Sequence, residues 1–187
     1  MRLAVIIGST RNGRFGPTVA HWLAQQAGKQ FEVDLIDLAT ANLPTTLPDT
    51  DDETPAEVAV LAPRLATADA FAVVTPEYNC SFPAPLKTAL DWYYEEWHAK
   101  PVAIVSYGRE TGGLNATAQL RQVFSELQAV TIRHTVALPC YWEQFTADGD
   151  WPRASAGYEA QAKLMLDQLV WWARALLDAR TARPYQQ

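Results

Sequence analysis

The chain has 187 residues, 49% of them hydrophobic and 19% charged, a globular composition sufficient for one domain over residues 1–187. Its formal net charge of −6 argues against a nucleic-acid partner, because nucleic acids are bound through an excess of basic residues. No apolar run approaches the roughly 20 residues that span a bilayer, and two cysteines are too few for a disulfide scaffold. We therefore predict a cytoplasmic protein that does not contact membranes.

Short β-branched runs alternate with longer amphipathic segments along the chain. The predicted strands are Arg2–Ile7, Phe31–Leu38, Ala70–Thr75, Pro101–Tyr107 and Val130–Leu138. The predicted helices are Pro17–Gly28, Thr54–Thr67, Ala84–Trp97, Gly113–Leu127 and Ala154–Arg180. This alternation predicts a doubly wound α/β sheet, because parallel neighbours need crossover helices. Ligands of such sheets bind at the carboxyl ends of the strands.

Three helix boundaries carry local signals. Pro17 suits a first helical turn, and Gly28 can end that helix in a left-handed conformation. Thr54, Pro55 and Glu57 have the spacing of an N-cap, a first-turn proline and a capping box, so we expect the second helix to begin there.

The loop after the first strand, GSTRNGRFG, does not match the common nucleotide motifs. Gly8 and Gly13 have the spacing of a triphosphate loop, but Arg14 and Phe15 stand where that loop needs Lys and then Ser or Thr. The dinucleotide motif also fails, because Thr10 takes the place of its second glycine. The loop is therefore not expected to bind a magnesium triphosphate or a dinucleotide.

The same loop is rich in groups that bind oxyanions. Ser9 and Thr10 offer hydroxyls, Arg11 and Arg14 offer guanidinium groups, and a helix N-terminus with unpaired amides follows. These groups predict a site for one terminal phosphate without magnesium. The alternative is a polar turn whose arginines are solvated.

Two further loops follow the third and fourth strands. In TPEYNCSFPAPLKTALDW, residues Glu77, Tyr78 and Asn79 combine acceptors, an aromatic face and an amide that can line a flat polar ring. In SYGRETGG, glycines allow close approach of a ligand to the backbone. The alternatives are a proline-rich turn with Tyr78 in the core, and an ordinary glycine-rich connection. A hydrolase motif around Ser106 is excluded, because Ile104 occupies its first glycine position.

Together, GSTRNGR, TPEYN…P…LKTALDW and SYGRETGG resemble the NADPH-dependent FMN reductases, a flavodoxin-like family that includes quinone, azo-dye and chromate reductases. The resemblance runs from Leu3 to Pro139. It implies a five-stranded parallel sheet in the order 2-1-3-4-5 with helices on both faces. It also implies bound FMN and a co-substrate, NADPH or NADH.

The resemblance assigns roles to matching positions. The implied phosphate site is formed by Ser9, Arg11, Arg14 and the backbone of Gly13, Phe15 and Gly16, beside the Thr10 hydroxyl. The implied ring and ribityl contacts are Pro76, Glu77, Tyr78 and Asn79, with Ser106, Tyr107 and Gly108 at the pyrimidine side. Departures from the family pattern are Thr88 for a common Asn, the charged run Arg109–Thr111, and Phe15 for a small or polar residue. Phe15 thus leaves open whether its side chain or only its amide contributes.

The implied reaction is a ping-pong hydride transfer from NAD(P)H to the flavin and on to a quinone-like oxidant, another small oxidant or free flavin. No side chain is expected to act as acid or base, because the flavin would carry the redox chemistry. No metal site is expected, because His21, His98 and His134 are scattered. Backbone amides of Glu77–Asn79 and Ser106–Gly108 are expected to stabilise the reduced flavin. The alternatives are a flavodoxin-like electron carrier, disfavoured by the arginines in the ligand loops, and a flavin-binding sensor without turnover.

Aromatic residues suggest further contacts. Trp92, Tyr93 and Tyr94 are consecutive and would fan around one helix, so we expect a homodimer or tetramer with the Ala84–Trp97 helix at its interface. The alternative is that these rings and Trp97 form part of the core of a monomer. Trp142 and Phe145 are expected either to roof the site or to pack in the core. Cys80 adjoins the flavin loop, and no redox role is assigned to it.

Overall fold

The computed structural model describes residues 1–48, 54–148, 150–153 and 155–185. Its strands are β1 (Arg2–Ile7), β2 (Glu32–Asp37), β3 (Ala70–Pro76), β4 (Pro101–Gly108), β5 (Val130–Thr131) and β6 (Val136–Pro139). Its helices are α1 (Gly16–Ala27), α2 (Leu38–Ala41), α3 (Ala56–Ala66), α4 (Ala84–Trp92), α5 (Leu114–Glu126) and α6 (Ser155–Ala182). Short 3-10 turns cover Glu95–Trp97 and Tyr141–Glu143.

The sheet confirms the predicted order, β2-β1-β3-β4-β5, with all neighbours parallel. Strands β1, β3 and β4 are almost entirely buried, which explains why their sequences are nearly continuous apolar runs. Apolar residues of α1 and α6 cover one face of the sheet, and those of α3, α4 and α5 cover the other. The predicted fold class, a flavodoxin-like doubly wound sheet, is confirmed.

The fifth predicted strand is divided into β5 and β6, which both pair with β4. Side chains of α5 and α6 form hydrogen bonds with the backbone that connects β5 to β6. Arg121 donates to the carbonyls of Ile132 and Arg133, and the Gln168 side chain accepts from the His134 amide. These polar groups are therefore satisfied without a continuous ladder.

Two of the boundary signals were wrong. Gly28 ends α1 with φ of −61°, a right-handed conformation in which its amide donates to Ala24. Helix α3 begins at Ala56 with Pro55 as its N-cap, because Pro55 has an extended ψ of 141°; Thr54 therefore lies too early to cap it. Pro17 does lie in the first turn of α1. Of the last predicted helix, Ala154 lies outside the described residues.

The predicted Ala84–Trp97 helix ends at Trp92, where Tyr93 turns to an extended conformation. The Trp92 indole donates to the Pro44 carbonyl, the Tyr93 hydroxyl to Val58, and the Trp97 indole to Tyr93. Tyr93 and Trp97 are thereby buried within their own chain. The argument that these rings fan around one helix was wrong, because no helix carries all of them.

Candidate functional site

The carboxyl ends of β1, β3 and β4 open into one cleft, where the three predicted loops meet. Its volume is about 410 Å³. It is lined by Arg11, Gly13, Arg14, Phe15, Pro76, Glu77, Tyr78, Tyr107, Gly108, Arg109, Tyr141 and Trp142. Five residues of the predicted site lie outside this lining: Ser9, Thr10, Gly16, Asn79 and Ser106. Tyr141 was not predicted.

The N-terminus of α1 is backed by two buried hydroxyls, those of Ser9 and Tyr107. Neither hydroxyl makes a well-formed hydrogen bond among the described residues, and the two lie close enough to interact with each other. A Cβ on Gly16 would lie 2.4 Å from Ser9 Oγ and 3.2 Å from Tyr107 Oη, so only glycine lets the helix begin against them. Burial raises the pKa of Tyr107 well above its usual value, against the opposing effect of the Ser9 hydroxyl, so the phenol stays protonated and can donate.

An unpaired buried hydroxyl costs about 1–3 kcal/mol. Two of them, beside the unpaired amides of a helix N-terminus, form a donor set suited to an oxyanion. This donor set fits a phosphate group, and the Tyr107 side chain belongs to it.

The two arginines of the first loop are in different situations. Arg14 donates to both carboxylate oxygens of Asp37, at 2.7 and 2.6 Å, and to the Ser9 carbonyl at 2.9 Å. Burial favours the neutral form of Asp37, but hydrogen bonds from Arg14 and the Ala39 amide outweigh it and lower the Asp37 pKa. Arg11 is exposed and lies beside Tyr78, whose pKa is raised by burial against the opposing effect of that guanidinium.

The second loop is tied to α5. Glu77 Oε2 accepts from the Asn115 amide at 2.9 Å and the Ala116 amide at 3.4 Å, and its Oε1 accepts from the Asn115 side chain at 3.0 Å. Burial raises the Glu77 pKa, but these hydrogen bonds outweigh that effect and the net pKa is lowered. The carboxylate therefore caps a helix, a partner that the sequence did not reveal.

Beyond Glu77 the chain makes a tight two-residue turn. The Tyr78 and Ser81 amides and carbonyls pair, at 2.8 and 3.0 Å, and the Glu77 amide donates to Tyr107 at 2.9 Å. The central residues, Asn79 and Cys80, both have positive φ and are exposed. Since the Glu77 and Tyr78 amides are already engaged, they are not available as the predicted flavin donors.

In the third loop, Gly112 and Gly113 have positive φ and allow the turn to pack closely against β4 and β6. Ser106 is buried, and its hydroxyl donates to the Gly112 carbonyl at 2.8 Å. A Cβ on Gly113 would lie 2.6 Å from the Ser106 Cβ, and one on Gly112 would lie 2.9 Å from the Pro139 amide nitrogen. Of the three glycines in this loop, only Gly108 lines the cleft. Gly112 and Gly113 are required because a side chain at either position would collide with neighbouring atoms of the same chain.

An aromatic wall completes the cleft. Phe15 stacks on Tyr141 with ring centroids 4.5 Å apart and contacts Tyr107 and Trp151 edge-on at 5.7 and 5.2 Å. The Phe15 side chain therefore anchors the segment after β6. Of the two residues expected to roof the site or pack in the core, Trp142, 48% exposed, lines the cleft, whereas Phe145 lies outside the lining and contacts Phe15 edge-on at 5.6 Å. Tyr141 follows the parallel strand β6, whose carboxyl end lies at the same edge of the sheet, so its position near the site could have been inferred from the sequence.

Among the described residues, no cluster of three or more His, Cys, Asp or Glu side chains could hold a metal ion. Within the same residues, no helix has the length and apolarity to cross a membrane.

Comparisons with known proteins point to one family. The family model described as NADPH-dependent FMN reductase matches residues 1–143. An NAD(P)H-dependent FMN reductase of Schizosaccharomyces pombe is 33% identical over 148 residues, covering 74% of each chain. A 2-hydroxy-1,4-benzoquinone reductase of a Burkholderia species is 36% identical over 138 residues, covering 70% of this chain and 73% of that protein.

A solved structure agrees over most of the chain. FerB, a flavoenzyme NAD(P)H:(acceptor) oxidoreductase from Paracoccus denitrificans, superposes with a TM-score of 0.77 at 26% identity. The match covers 93% of this chain and 97% of FerB, so the likeness extends beyond the 143 residues of the family match.

Proposed function

The chain belongs to the NADPH-dependent FMN reductase family, and on that premise we propose that it binds FMN in the cleft and passes electrons from NAD(P)H to a quinone-like acceptor. The family predicted from the three loops is confirmed, and with it the oxidoreductase class and the FMN and NAD(P)H cofactors. The acceptor, the kinetic order and the role of each residue form the proposal.

The observation that carries the proposal is the pair of unpaired hydroxyls, Ser9 and Tyr107, at the N-terminus of α1. In this proposal both donate to the FMN phosphate, together with the Thr10 hydroxyl and the backbone amides of Gly13, Phe15 and Gly16. Arg11 supplies the positive charge. These donors are fixed before the ligand arrives, which reduces the ordering cost of binding.

The flat ring of FMN would lie over the strand ends, against Pro76, Tyr78 and Gly108. Asn79 and Ser106 both lie outside the cleft lining, and the Ser106 hydroxyl is already bonded to Gly112, so we propose no side-chain contact between either residue and the ring. Tyr141 and Trp142 form the opposite wall and limit the acceptor to a thin, flat molecule.

When bound, FMN supplies the redox chemistry, accepting a hydride from NAD(P)H and returning electrons to the acceptor. The residues of the cleft bind and orient the reactants. Because one open cleft serves both substrates, we propose that they bind in turn and that the kinetics are ping-pong. An electron carrier or a sensor would bind FMN without turnover.

Two experiments test the activity. The purified protein is titrated with FMN, and NADPH oxidation is then followed with benzoquinone at several concentrations. Binding with steady turnover and parallel double-reciprocal lines supports the proposal. FMN binding without turnover would favour the carrier or sensor, and intersecting lines would contradict the ping-pong order.

The variant Tyr107→Phe tests whether the buried Tyr107 hydroxyl contributes to FMN binding. Removing an unpaired buried hydroxyl should raise the free energy of unfolding of the apoprotein by about 1 kcal/mol, while FMN affinity falls several-fold. Thr117→Val is the matched control, because Thr117 is also buried without a partner but lies outside the cleft. It should stabilise the apoprotein and leave FMN affinity unchanged. Unchanged affinity in Tyr107→Phe would remove this hydroxyl from the site.

We further propose that residues 1–187 form a single domain. We also propose a cytoplasmic location, which suits the free thiols of Cys80 and Cys140.

We propose in addition that the protein is a homodimer. Because Tyr93 and Trp97 are buried, the support for an interface near the Ala84–Trp97 segment is the side chain of Tyr94, which is 45% exposed. Light scattering at micromolar concentration should give twice the mass of one chain, and the mass of one chain would contradict the dimer.

A further inference from the structure

Strand β2 carries two aspartates that are each held by an arginine in a two-pronged ion pair. At its carboxyl end, Asp37 pairs with Arg14, with nitrogen–oxygen distances of 2.7 and 2.6 Å. Further back, Asp34 pairs with Arg64 at 2.9 and 2.5 Å. Only the first pair borders the cleft. The two pairs thus have similar geometry in different places.

The Arg14–Asp37 pair also contacts the loop after β1, residues 8–16, which we call the phosphate loop. Arg14 Nη1 donates to the Ser9 carbonyl at 2.9 Å while it also holds Asp37. The guanidinium therefore joins the start of the loop to the neighbouring strand. Ser9 is the residue whose buried hydroxyl faces the N-terminus of α1. Fixing its carbonyl holds in place the backbone from which that side chain extends.

The same contacts occupy the charge of Arg14. The Arg14 and Asp37 side chains are only 17% and 24% exposed, so water screens the pair little. Turning Arg14 toward a phosphate would leave the Asp37 carboxylate without its charged partner and the Ser9 carbonyl without its donor. Removing one partner of such a pair is costly, because the remaining charge is left uncompensated.

Asp37 is itself held in place. Its Oδ1 accepts from the Ala39 amide at 3.0 Å, as the N-cap of α2. The carboxylate is thus fixed from one side by the backbone and from the other by Arg14. A rigid partner keeps the guanidinium plane, and with it the loop, in one orientation.

We propose that Asp37 is a positioning residue for FMN binding. Acting through Arg14, it sets the phosphate loop and leaves Arg11 as the loop guanidinium that meets the ligand. This inference rests on the proposed function. It changes the role that the sequence suggested for Arg14, from phosphate ligand to clamp.

The test compares the affinities of the apoprotein for FMN and riboflavin, which differ only in the phosphate, by quenching of flavin fluorescence. In Asp37→Asn, which preserves size and the Ala39 contact, we expect FMN affinity to fall about tenfold with riboflavin affinity within about twofold. Arg14→Lys, which cannot hold Asp37 and Ser9 with one planar fork, should give the same pattern. Asp34→Asn is the matched control and should leave both affinities unchanged.

Each other outcome overturns the inference. Tighter FMN binding in Asp37→Asn would mean that released Arg14 is a phosphate ligand. An equal loss for FMN and riboflavin would mean a general structural role, and no change would mean no role. If the wild-type protein binds neither flavin, the proposed function fails with it, whereas wild-type FMN binding with an unaffected Asp37→Asn variant refutes this inference alone.

Discussion

The carboxylate of Glu77 lies across the N-terminus of α5 and accepts a hydrogen bond from the backbone amide of Asn115 at 2.9 Å. This contact joins the loop after β3 to the helix that follows the loop after β4, and the ends of those two strands are proposed to hold the flavin ring. Helix N-termini favour a negative charge, so the carboxylate is stabilised where it lies. A residue expected to face the ligand thus also builds the wall of its site.

We expect Glu77→Ala to lower the free energy of unfolding by about 1 kcal/mol, because α5 loses its cap. Urea denaturation at pH 7 measures this. Gln119→Ala provides a comparison, since it removes contacts of the same α5 with Cys80 and Ser81 at an exposed position. A Glu77→Ala variant as stable as the wild type would show that water replaces the cap.

The Glu77 cap should also depend on pH. Because the Glu77 pKa is lowered in the folded state, its contribution is present above the unfolded carboxyl pKa of about 4.3 and is lost as pH falls through the folded pKa. We expect the stability difference between wild type and Glu77→Gln to shrink below about pH 4. Denaturation curves at stepwise pH check this, and a difference that grows toward acid would contradict it.

Arg11→Ala should weaken FMN binding about tenfold and leave riboflavin binding unchanged, because Arg11 supplies the proposed charge for the phosphate. The loss should be largest at low salt, since an exposed ion pair is screened. Isothermal titration calorimetry measures both flavins. Arg133→Ala, another exposed arginine away from the cleft, is the control. Equal FMN affinity in the two variants would rule out Arg11 as the phosphate partner.

Gly16→Ala should reduce FMN affinity, because its Cβ would lie 2.4 Å from Ser9 Oγ and would displace the start of α1. Gly157→Ala is the matched control in α6, where a Cβ meets nothing within 4 Å. The control should gain up to about 1 kcal/mol of stability from helix propensity. Flavin titration and thermal melts distinguish the two. Normal FMN binding by Gly16→Ala would mean that α1 shifts without harm to the site.

Phe15→Ala should destabilise the fold by about 2 kcal/mol, since the partly buried ring stacks on Tyr141 and contacts Trp151. Phe15→Leu should lose less, because it keeps apolar volume but not the stacking. Urea denaturation followed by tryptophan fluorescence measures both. Equal losses would assign the effect to the ring interactions alone, contrary to the packing argument.

The pattern of apolar runs in the sequence predicts the doubly wound sheet and the edge at which the candidate site lies. The apolar runs of β1, β3 and β4 identify strands buried on both faces, and the carboxyl ends of parallel strands meet at one edge. The loops after them therefore had to converge. Such signals are local in the chain, so no knowledge of distant contacts was needed to read them.

Contacts between residues distant in the sequence determine which polar groups remain unbonded and able to contact a ligand, and only the folded structure shows them. Arg11 and Arg14 look equivalent in the sequence, but Asp37, 23 positions beyond Arg14, takes up one of them. Glu77 is likewise taken up by Asn115, 38 positions away. Partner choice depends on the distance between elements and on burial, which set the strength of an ion pair or cap. Neither quantity is encoded in the spacing of residues along a loop.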